Sequence, residues 1–188
     1  MNEQRRLLVV SGPSGAGKDT VVKYLMEAHP EIEISVSATT RAMRPGEEEG
    51  VNYYYMTNAQ FEEKLARGEI LEHVNYCGKY YGTPKSEVDR RIDAGVTVVL
   101  VIEVVGAANI KRMYPDSTLV FIMPPSVEEL GRRLRARGTE DAEVVAKRMA
   151  RATEEMALAH EYDFSVVNDE VDRCADELYR ILKQRQQA

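Results

Sequence analysis

The chain has 188 residues, of which 44% are hydrophobic and 30% are charged, and its formal net charge is -6. This length accommodates a single domain with a sizeable core. The negative charge argues against a general nucleic-acid-binding face. No apolar run approaches the roughly 20 residues that cross a bilayer. We therefore expect no membrane partner, and the negative charge leads us to expect no nucleic-acid partner.

The cysteines and histidines give little sign of reactive chemistry. Cys77 and Cys174 are the two cysteines of the chain, far apart and without metal-ligand spacing. This usage is typical of a reducing compartment, and the first residues contain no secretory leader, so we expect a cytoplasmic protein. The histidines, His29, His73 and His160, form no cluster, and we predict no general base among them.

Strand-like segments alternate with helix-like segments along most of the chain, which predicts an α/β fold with a parallel sheet. The predicted core strands are residues 7–11, 32–37, 96–102, 117–123 and 164–167. The predicted helices are residues 19–28, 106–113, 126–137 and 170–185, with a further polar, helix-favouring segment at 140–160. Ser126 and Glu129 have the spacing of a capping box, and Gly138 is expected to end that helix.

The middle of the chain has a different composition. Six of the 10 tyrosines of the chain lie between residues 37 and 83. Short strand-like pieces at 52–56, 70–76 and 79–83 surround one predicted helix at 58–67. This shift in composition predicts a lobe inserted into the α/β core.

The loop after the first predicted strand has the spacing of a phosphate-binding loop, Gly followed by four residues, Gly and Lys. Its glycines allow backbone N–H groups to converge on an anion, and the following helix adds its positive end. A glycine-rich surface turn is the alternative, but the flanking strand and helix favour a nucleoside triphosphate. The candidate ATP-binding residues are Gly12, Pro13, Ser14, Gly15, Ala16, Gly17, Lys18, Asp19 and Thr20. Asp19 stands where a Mg²⁺-binding hydroxyl is usual.

Two arginines of a predicted loop, Arg41 and Arg44, are candidates for a second phosphate site. Planar guanidinium groups bind phosphate in a bidentate manner, although a charged surface turn would have the same sequence. Tyr53 and Tyr81 could add hydroxyl donors, or could simply pack within the lobe.

Several motifs in order resemble the guanylate kinases. They are Ser35-Val36-Ser37-Ala38-Thr39-Thr40-Arg41, Arg44-Pro45-Gly46-Glu47, Gly50-Val51-Asn52-Tyr53, Gly78-Lys79-Tyr80-Tyr81-Gly82-Thr83, Pro124-Pro125-Ser126, Arg137-Gly138-Thr139 and Val167-Asn168-Asp169. The resemblance extends from about residue 7 to residue 182. It implies a P-loop nucleoside monophosphate kinase fold with a parallel five-stranded core sheet, an inserted GMP-binding lobe and a helical lid. The implied division is a core of 1–35, 84–136 and 152–188, a lobe of 36–83 and a lid of 137–151.

The resemblance also implies the reaction of ATP with GMP, and with dGMP, to give ADP and the diphosphate, with Mg²⁺ as cofactor. The implied GMP-binding residues are Ser37, Arg41, Arg44, Tyr53, Glu72, Tyr81, Thr83 and Glu103. The implied catalytic residues are Lys18, Arg41, Arg133, Arg137 and Arg148, with Asn168 near the adenine. Guanine carries N1–H and N2–H₂ donors on one edge, so a carboxylate such as that of Glu72 can accept from both and would be poorly paired by adenine.

The chain departs from the family at two positions. The family usually has an acid where Val101 stands, at a place associated with the magnesium water shell, whereas the second acid is present as Glu103. Mg²⁺ keeps several waters and can bind through one carboxylate, so Asp19 is a candidate metal ligand that replaces the missing acid. The alternative is that Asp19 repels the ATP phosphates and impairs activity.

Two rival functions stay open from the sequence. The Gly-Lys-Asp-Thr variant also resembles the ribose bisphosphate phosphokinases, which share this fold but would not need Ser37, Glu72 and Thr83. Guanylate-kinase-like protein-binding modules form the other alternative, but they tend to lose the phosphate loop. We therefore expect ATP and GMP as the small-molecule partners, and a monomer or small homo-oligomer.

Overall fold

A computed structural model of the chain describes residues 3–76, 78–136 and 142–187. The strands are β1 Leu7–Ser11, β2 Ile32–Ile34, β3 Ala38–Thr39, β4 Tyr54–Tyr55, β5 Ile70–Tyr76, β6 Lys79–Pro84, β7 Thr97–Val101, β8 Thr118–Met123 and β9 Phe164–Val167. The helices are α1 Lys18–Ala28, α2 Asn58–Ala66, α3 Lys85–Asp93, α4 Val104–Met113, α5 Val127–Ala136, α6 Ala142–Ala157 and α7 Val171–Gln187. Short 3₁₀ helices cover Glu3–Arg6 and Ala159–Glu161.

The core sheet is parallel and has five strands in the order β2-β7-β1-β8-β9. β1 is the central strand, and Leu8 is in register with Val99 of β7 and with Thr118 of β8. In open parallel sheets, ligands bind beyond the carboxyl ends of the strands. The predicted fold is therefore confirmed, and the loop after β1 lies at the edge where a ligand site is expected.

Both faces of the core sheet are covered by helices. On one face, Leu8 packs in a cluster with Leu178 of α7. On the other face, Val9 packs with Val88 of α3 and Ile110 of α4. Successive residues of β1 thus enter opposite layers, which explains why the core strands are continuously apolar in sequence.

The inserted lobe is built on a second sheet, with four strands in the order β4-β3-β6-β5. Helix α2 covers one face of this sheet, where Phe61 clusters with Ala38 and Ile70. Thr57 and Gln60 form a reciprocal capping box at the start of α2, which fixes the first residue of the helix. The lobe therefore has a small apolar core of its own.

A β-bulge interrupts the pairing of β5 with β6. The register shifts between Ile70, which lies opposite Pro84, and His73, which lies opposite Gly82. Neighbouring residues of a regular strand point to opposite faces, yet Leu71 is 3% exposed and Glu72 is 6% exposed. The bulge therefore directs two successive side chains into the interior, a carboxylate among them.

Most predicted elements begin and end within a few residues of the observed ones. The predicted strand 32–37 is wrong in its second half, because the chain leaves the core sheet after Ile34 and enters the lobe as β3. Helix α3 was not predicted, since its polar sequence buries few apolar side chains, among them Val88 and Ile92. The predicted helix end at residues 137–138 and helix start at residue 140 lie outside the described residues. Every helix among the described residues is too short or too polar to cross a bilayer.

Candidate active site

The loop between β1 and α1 has a backbone that only glycine fits at key positions. Gly17 is the N-cap of α1 and has a φ of 89°, in the left-handed region that favours glycine. A Cβ on Gly12 would lie 2.3 Å from the carbonyl oxygen of Ile122. The backbone N–H of Ala16 bonds the carbonyl oxygen of Pro13 at 3.1 Å. The loop thus turns tightly into the positive end of α1, a geometry that suits anions.

Lys18 is the first residue of α1, and its ammonium group lies over the loop. Nζ donates to the carbonyl oxygens of Gly12 at 2.6 Å and of Pro13 at 3.2 Å. The first N–H groups of a helix have no partner within the helix. A polyphosphate that accepts from these N–H groups would therefore lie beside the Lys18 charge.

Asn168 and Arg133 support the phosphate loop from the core side. The amide Nδ2 of Asn168 donates to the carbonyl oxygen of Ala16 at 2.7 Å. Nη2 of Arg133 donates to the carbonyl oxygen of Asn168 at 3.1 Å, and Nε donates to Glu129 at 2.8 Å. The amide of Asn168 therefore has a structural role that the sequence did not indicate, while its adenine contact stays a prediction.

The Ser126 cap is present at the start of α5. The backbone N–H of Glu129 donates to Oγ of Ser126 at 3.1 Å, which is one of the two hydrogen bonds of the predicted capping box. The Glu129 carboxylate bonds Arg132 at 2.7 Å and also bonds Arg133. It thereby orients the Arg133 guanidinium toward the loop.

Helix α6 carries arginines that reach two parts of the candidate site. Nη2 of Arg148 donates to Oγ of Ser14 in the phosphate loop at 2.5 Å. Arg151 forms ion pairs with Glu103, at the start of α4, and with Glu155. Residues three or four apart share one face of a helix, so a single face of α6 contacts both the phosphate loop and the predicted guanine-side acid.

The positions that depart from the family lie at the end of the core sheet. Asp19 and Thr20 are in the first turn of α1, and both are exposed. Val101, the last residue of β7, is in register with Val10 and packs against the apolar core. No cluster of three or more His, Cys, Asp or Glu side chains suited to a metal occurs within residues 3–76, 78–136 and 142–187. The predicted catalytic residue Arg137 lies outside the described residues.

The structure brings three of the four residues predicted to bind the acceptor phosphate together. The two Nη atoms of Arg41 donate to the two carboxylate oxygens of Glu47 at 3.0 and 2.7 Å. The same guanidinium lies 5.4 Å from the ring centroid of Tyr53, and the Tyr53 and Tyr81 ring centroids are 5.9 Å apart. The side chain of Arg44 is exposed, although its backbone N–H also donates to Glu47, at 2.7 Å.

The Glu47 carboxylate is held in its charged form. Hydrogen bonds from Arg41 and from the backbone of Arg44 lower the pKa of Glu47 to about 2. The bonds to Glu47, with a smaller contribution from Tyr81, raise the pKa of Arg41. Burial and the hydrogen bond to Glu47 raise the pKa of Tyr55, whose hydroxyl donates to this carboxylate at 2.8 Å. The ion pair is therefore fully charged at neutral pH.

Glu72 and Thr83 form a buried polar pair at the bulge. Oγ1 of Thr83 donates to Oε1 of Glu72 at 2.6 Å. Burial raises the pKa of Glu72, the bonds from Thr83 oppose that rise, and the charge of Glu103 adds to it. A Cβ on Gly106 would lie 3.1 Å from Oε2 of Glu72, so the start of α4 approaches this oxygen closely. The arrangement can accept hydrogen bonds from a ligand with adjacent donors.

A cavity of about 350 Å³ adjoins this carboxylate. Glu72, Glu103 and Gly106 line it, together with Arg151 of α6. The predicted residues Glu72, Thr83 and Glu103 therefore lie together. Ser37 is half-buried in the lobe, where its carbonyl oxygen accepts from the backbone of Tyr54 at 2.9 Å.

Sequence reasoning assigned no role to several residues that organise the site, namely Glu47, Tyr55, Glu87 and Arg151. Glu87 of α3 is buried and accepts a 2.9 Å bond from the hydroxyl of Tyr54, so it ties the core to the lobe. Glu47 was detectable in principle, because an acid in the same loop as Arg41 is a natural partner for its charge. Glu87 and Arg151 required the fold, since Tyr54 and Glu103 lie 33 and 48 residues away from them in sequence.

Comparisons with known proteins agree with this geometry. The family model for guanylate kinase matches residues 4–185. A guanylate kinase of Gloeobacter violaceus is 50% identical over 177 residues, which cover 94% of this chain and 86% of that protein. A guanylate kinase of Lactococcus lactis subsp. lactis is 47% identical over 183 residues, with 97% and 89% covered.

Solved structures give the same result. The crystal structure of guanylate kinase from Anaplasma phagocytophilum matches with a TM-score of 0.74 at 36% identity, and the match covers 97% of this chain and 86% of that chain. The phosphate loop at the end of β1, the arginine-bearing lobe and the length of these matches point to one conclusion. The chain belongs to the guanylate kinase family of ATP-dependent nucleoside monophosphate kinases.

Proposed function

We propose that this chain transfers the γ-phosphoryl group of ATP to GMP, and to dGMP, to give ADP and the nucleoside diphosphate. The observation that carries the choice of acceptor is the buried Glu72 carboxylate with Thr83 on one of its oxygens. Guanine can donate N1–H and N2–H₂ to such a carboxylate. Adenine has no matching donors on that edge and would leave a buried charge poorly paired.

The proposed acceptor site divides between base and phosphate. Ser37, Glu72, Thr83 and Glu103 face the guanine, and the cavity beside Glu72 has room for a ring. Arg41, Arg44, Tyr53 and Tyr81 hold the phosphate. The clustering of Arg41 with both tyrosine rings supports this division, because a guanidinium and phenolic hydroxyls are suitable donors to a phosphate monoester.

The proposed donor site is the phosphate loop from Gly12 to Thr20. Its N–H groups and the Lys18 ammonium hold the ATP phosphates, and Asn168 lies near the adenine. Phosphoryl transfer needs little covalent participation by the protein, because positioning and charge stabilisation supply most of the catalysis. Arg41 bridges the two nucleotides, and Arg133, Arg137 and Arg148 neutralise charge that develops on the transferred group.

The chain's donor set fits a magnesium ion bound together with ATP. Mg²⁺ prefers oxygen ligands, keeps several waters and is usually held by one or two carboxylates plus substrate phosphates. The exposed carboxylate of Asp19, one residue after Lys18, meets this need. Bound there, the ion would neutralise phosphate charge, and Asp19 would hold it directly or through water.

We further propose that residues 137–151 act as a lid over the core (1–35, 84–136 and 152–188) and the acceptor lobe (36–83). The contact of Arg148 with Ser14 supports a lid position beside the phosphate loop. Lid closure would exclude water and so limit ATP hydrolysis. The remaining proposals are a cytoplasmic location, a monomer or small homo-oligomer, and no nucleic-acid or membrane partner.

A coupled ADP-release assay tests the choice of acceptor. The purified chain, ATP and Mg²⁺ are mixed with GMP, dGMP, AMP, UMP or ribose 1,5-bisphosphate. We expect the guanine nucleotides to give the highest kcat/KM by a wide margin. A preference for ribose 1,5-bisphosphate would favour the phosphokinase alternative, and a lack of turnover with every acceptor would favour a binding module.

A further inference from the structure

We propose that the Tyr55 hydroxyl positions Arg41 for the phosphate of the acceptor nucleotide, through the carboxylate of Glu47. The inference rests on the proposed role of Arg41 as a phosphate ligand. Tyr55 and Glu47 are positioning residues in this scheme, because they act on the guanidinium and need not touch the nucleotide.

The Glu47 carboxylate is fixed on both oxygens. Oε1 accepts from Nη2 of Arg41 at 2.7 Å. Oε2 accepts from Nη1 of Arg41 at 3.0 Å, from the backbone N–H of Arg44 at 2.7 Å and from the Tyr55 hydroxyl at 2.8 Å. Glu47 is thus tied to the lobe by two donors that do not belong to Arg41.

These bonds fix the direction of the Arg41 guanidinium. Its two Nη atoms are held end-on by Glu47, and Nη1 also donates to the carbonyl oxygen of Ala42 at 2.8 Å. The bonds to Glu47 and Ala42 do not use Nε, so in this scheme the phosphate binds at the edge formed by Nε and Nη2. A guanidinium edge binds a phosphate through two parallel hydrogen bonds, and their strength depends on orientation.

Tyr55 contacts both members of the ion pair. Its hydroxyl bonds Glu47, and its ring centroid lies 5.9 Å from the Arg41 guanidinium carbon. The Tyr53 ring lies 5.4 Å from the same carbon. A phenylalanine at position 55 would keep the ring and remove only the bond to Glu47, which makes the hydroxyl separately testable.

A competing possibility is that Glu47 occupies Arg41 in place of the phosphate and is displaced when GMP binds. In that case, loss of the Tyr55 hydroxyl would weaken the competitor and would strengthen GMP binding. The bonds from Arg44 and Tyr55 favour a fixed support instead, because they hold the carboxylate independently of Arg41. The two possibilities predict changes of opposite sign.

The test measures the dissociation constants of GMP and guanosine for the 188-residue chain by calorimetry. Guanosine lacks the phosphate, so the ratio of the two constants isolates the phosphate contacts. For Tyr55→Phe we expect GMP to bind roughly three- to tenfold more weakly, with guanosine unchanged. Tyr54→Phe is the matched control, since this neighbouring hydroxyl bonds Glu87, and the ratio should stay as in the unmodified chain.

Arg41→Ala completes the test as a double-mutant cycle. Tyr55→Phe should have no further effect on GMP affinity once Arg41 is removed. Tighter GMP binding by Tyr55→Phe, an unchanged ratio, or an equal effect in the Arg41→Ala background would each overturn the inference. If Arg41→Ala itself leaves the ratio unchanged, the proposed role of Arg41 fails, and the inference fails with it. If the ratio of the guanosine and GMP dissociation constants changes in Arg41→Ala but not in Tyr55→Phe, the inference about Tyr55 is refuted and the proposed role of Arg41 stands.

Discussion

Nδ2 of Asn168 donates a 2.7 Å hydrogen bond to the carbonyl oxygen of Ala16, 152 residues earlier in the chain. Asn168 follows β9 directly, and its own backbone N–H donates to Met123 of β8 at 2.8 Å. The conformation of the phosphate loop therefore depends on the last strand of the core sheet as well as on the loop's own glycines.

Asn168→Asp should disturb the phosphate loop selectively. The variant places a carboxylate oxygen against the Ala16 carbonyl, so a donor is replaced by an acceptor at a buried site. We expect a loss of about 1–3 kcal/mol in the free energy of unfolding and weaker ATP binding, with GMP binding unchanged. Urea denaturation and calorimetry with each nucleotide measure these effects. Asn75→Asp is the control, because its Oδ1 only accepts, from the N–H of Gly78; an equal effect of both variants would contradict the account.

Gly17→Ala should lower stability more than the same substitution at Gly95, a glycine with a similar φ. A Cβ on Gly17 would lie 2.4 Å from Nδ2 of Asn168, whereas a Cβ on Gly95, with a φ of 82°, would have no neighbour within 4 Å. Gly95→Ala should therefore lower the free energy of unfolding only through backbone strain, by about 1 kcal/mol. Gly17→Ala should in addition abolish ATP binding. Equal stability and retained ATP affinity in the two variants would show that the close approach to Asn168 is unimportant.

The phosphate loop was predictable because its constraints are local. The spacing of Gly12, Gly17 and Lys18 dictates a turn of the backbone into a helix, and no distant residue is needed to recognise it. The support from Asn168 could not be inferred in the same way, since it depends on how β9 aligns with β8. The sequence resemblance placed Asn168 near the donor site but did not indicate what its amide contacts.

The same distinction between local patterns and distant contacts explains which features of the lobe could be predicted from the sequence. Its strands and α2 follow local patterns, and the capping box of Thr57 with Gln60 at the start of α2 is likewise a local feature, although it was not predicted. The bulge that buries Glu72 beside Leu71 breaks the period of two, so it could not be predicted from alternation. The sequence analysis assigned Glu47 no role beyond its place in a motif, because the sequence does not show which cationic side chain an acid in a polar loop pairs with.

Asp19→Ala tests the relocated metal carboxylate, because alanine removes the carboxylate without supplying the hydroxyl that is usual at this position. If Asp19 holds Mg²⁺, the variant should weaken ATP binding in the presence of Mg²⁺ and have little effect in its absence. Adding Val101→Asp, which restores an acid at the end of β7, should recover part of the Mg²⁺-dependent affinity. Calorimetric titration of ATP with and without Mg²⁺ makes the comparison. Unchanged Mg²⁺ dependence in Asp19→Ala would rule out the compensation, and tighter ATP binding would favour repulsion by Asp19.

Acid should destabilise the protein through carboxylates that are paired with arginines. Hydrogen bonds from Arg132 and Arg133 lower the pKa of Glu129 to about 2, from an ordinary value of 4.5. Since the folded state binds fewer protons here, the stabilisation is fully present above about pH 4.5 and is lost as the pH falls toward 2.

Glu129→Gln should therefore reduce the acid dependence of the free energy of unfolding. We expect the variant to be less stable than the unmodified chain by a constant amount from pH 7 to about pH 4.5, with a difference that shrinks as the pH falls from there toward 2. Urea denaturation at intervals between pH 7 and pH 2 provides the measurement. A constant difference across this range would show that the Glu129 charge does not contribute.

The central claim is that the buried Glu72 carboxylate selects guanine, and the most direct test is kcat/KM for GMP and for AMP with the unmodified chain and Glu72→Gln. Glutamine nearly preserves the shape, but its amide cannot accept from both guanine donors. We predict a strong preference for GMP in the unmodified chain and a roughly hundredfold loss of kcat/KM for GMP in Glu72→Gln, with AMP changed little. Comparable use of AMP by the unmodified chain, or an equal loss for both nucleotides in the variant, would contradict the account.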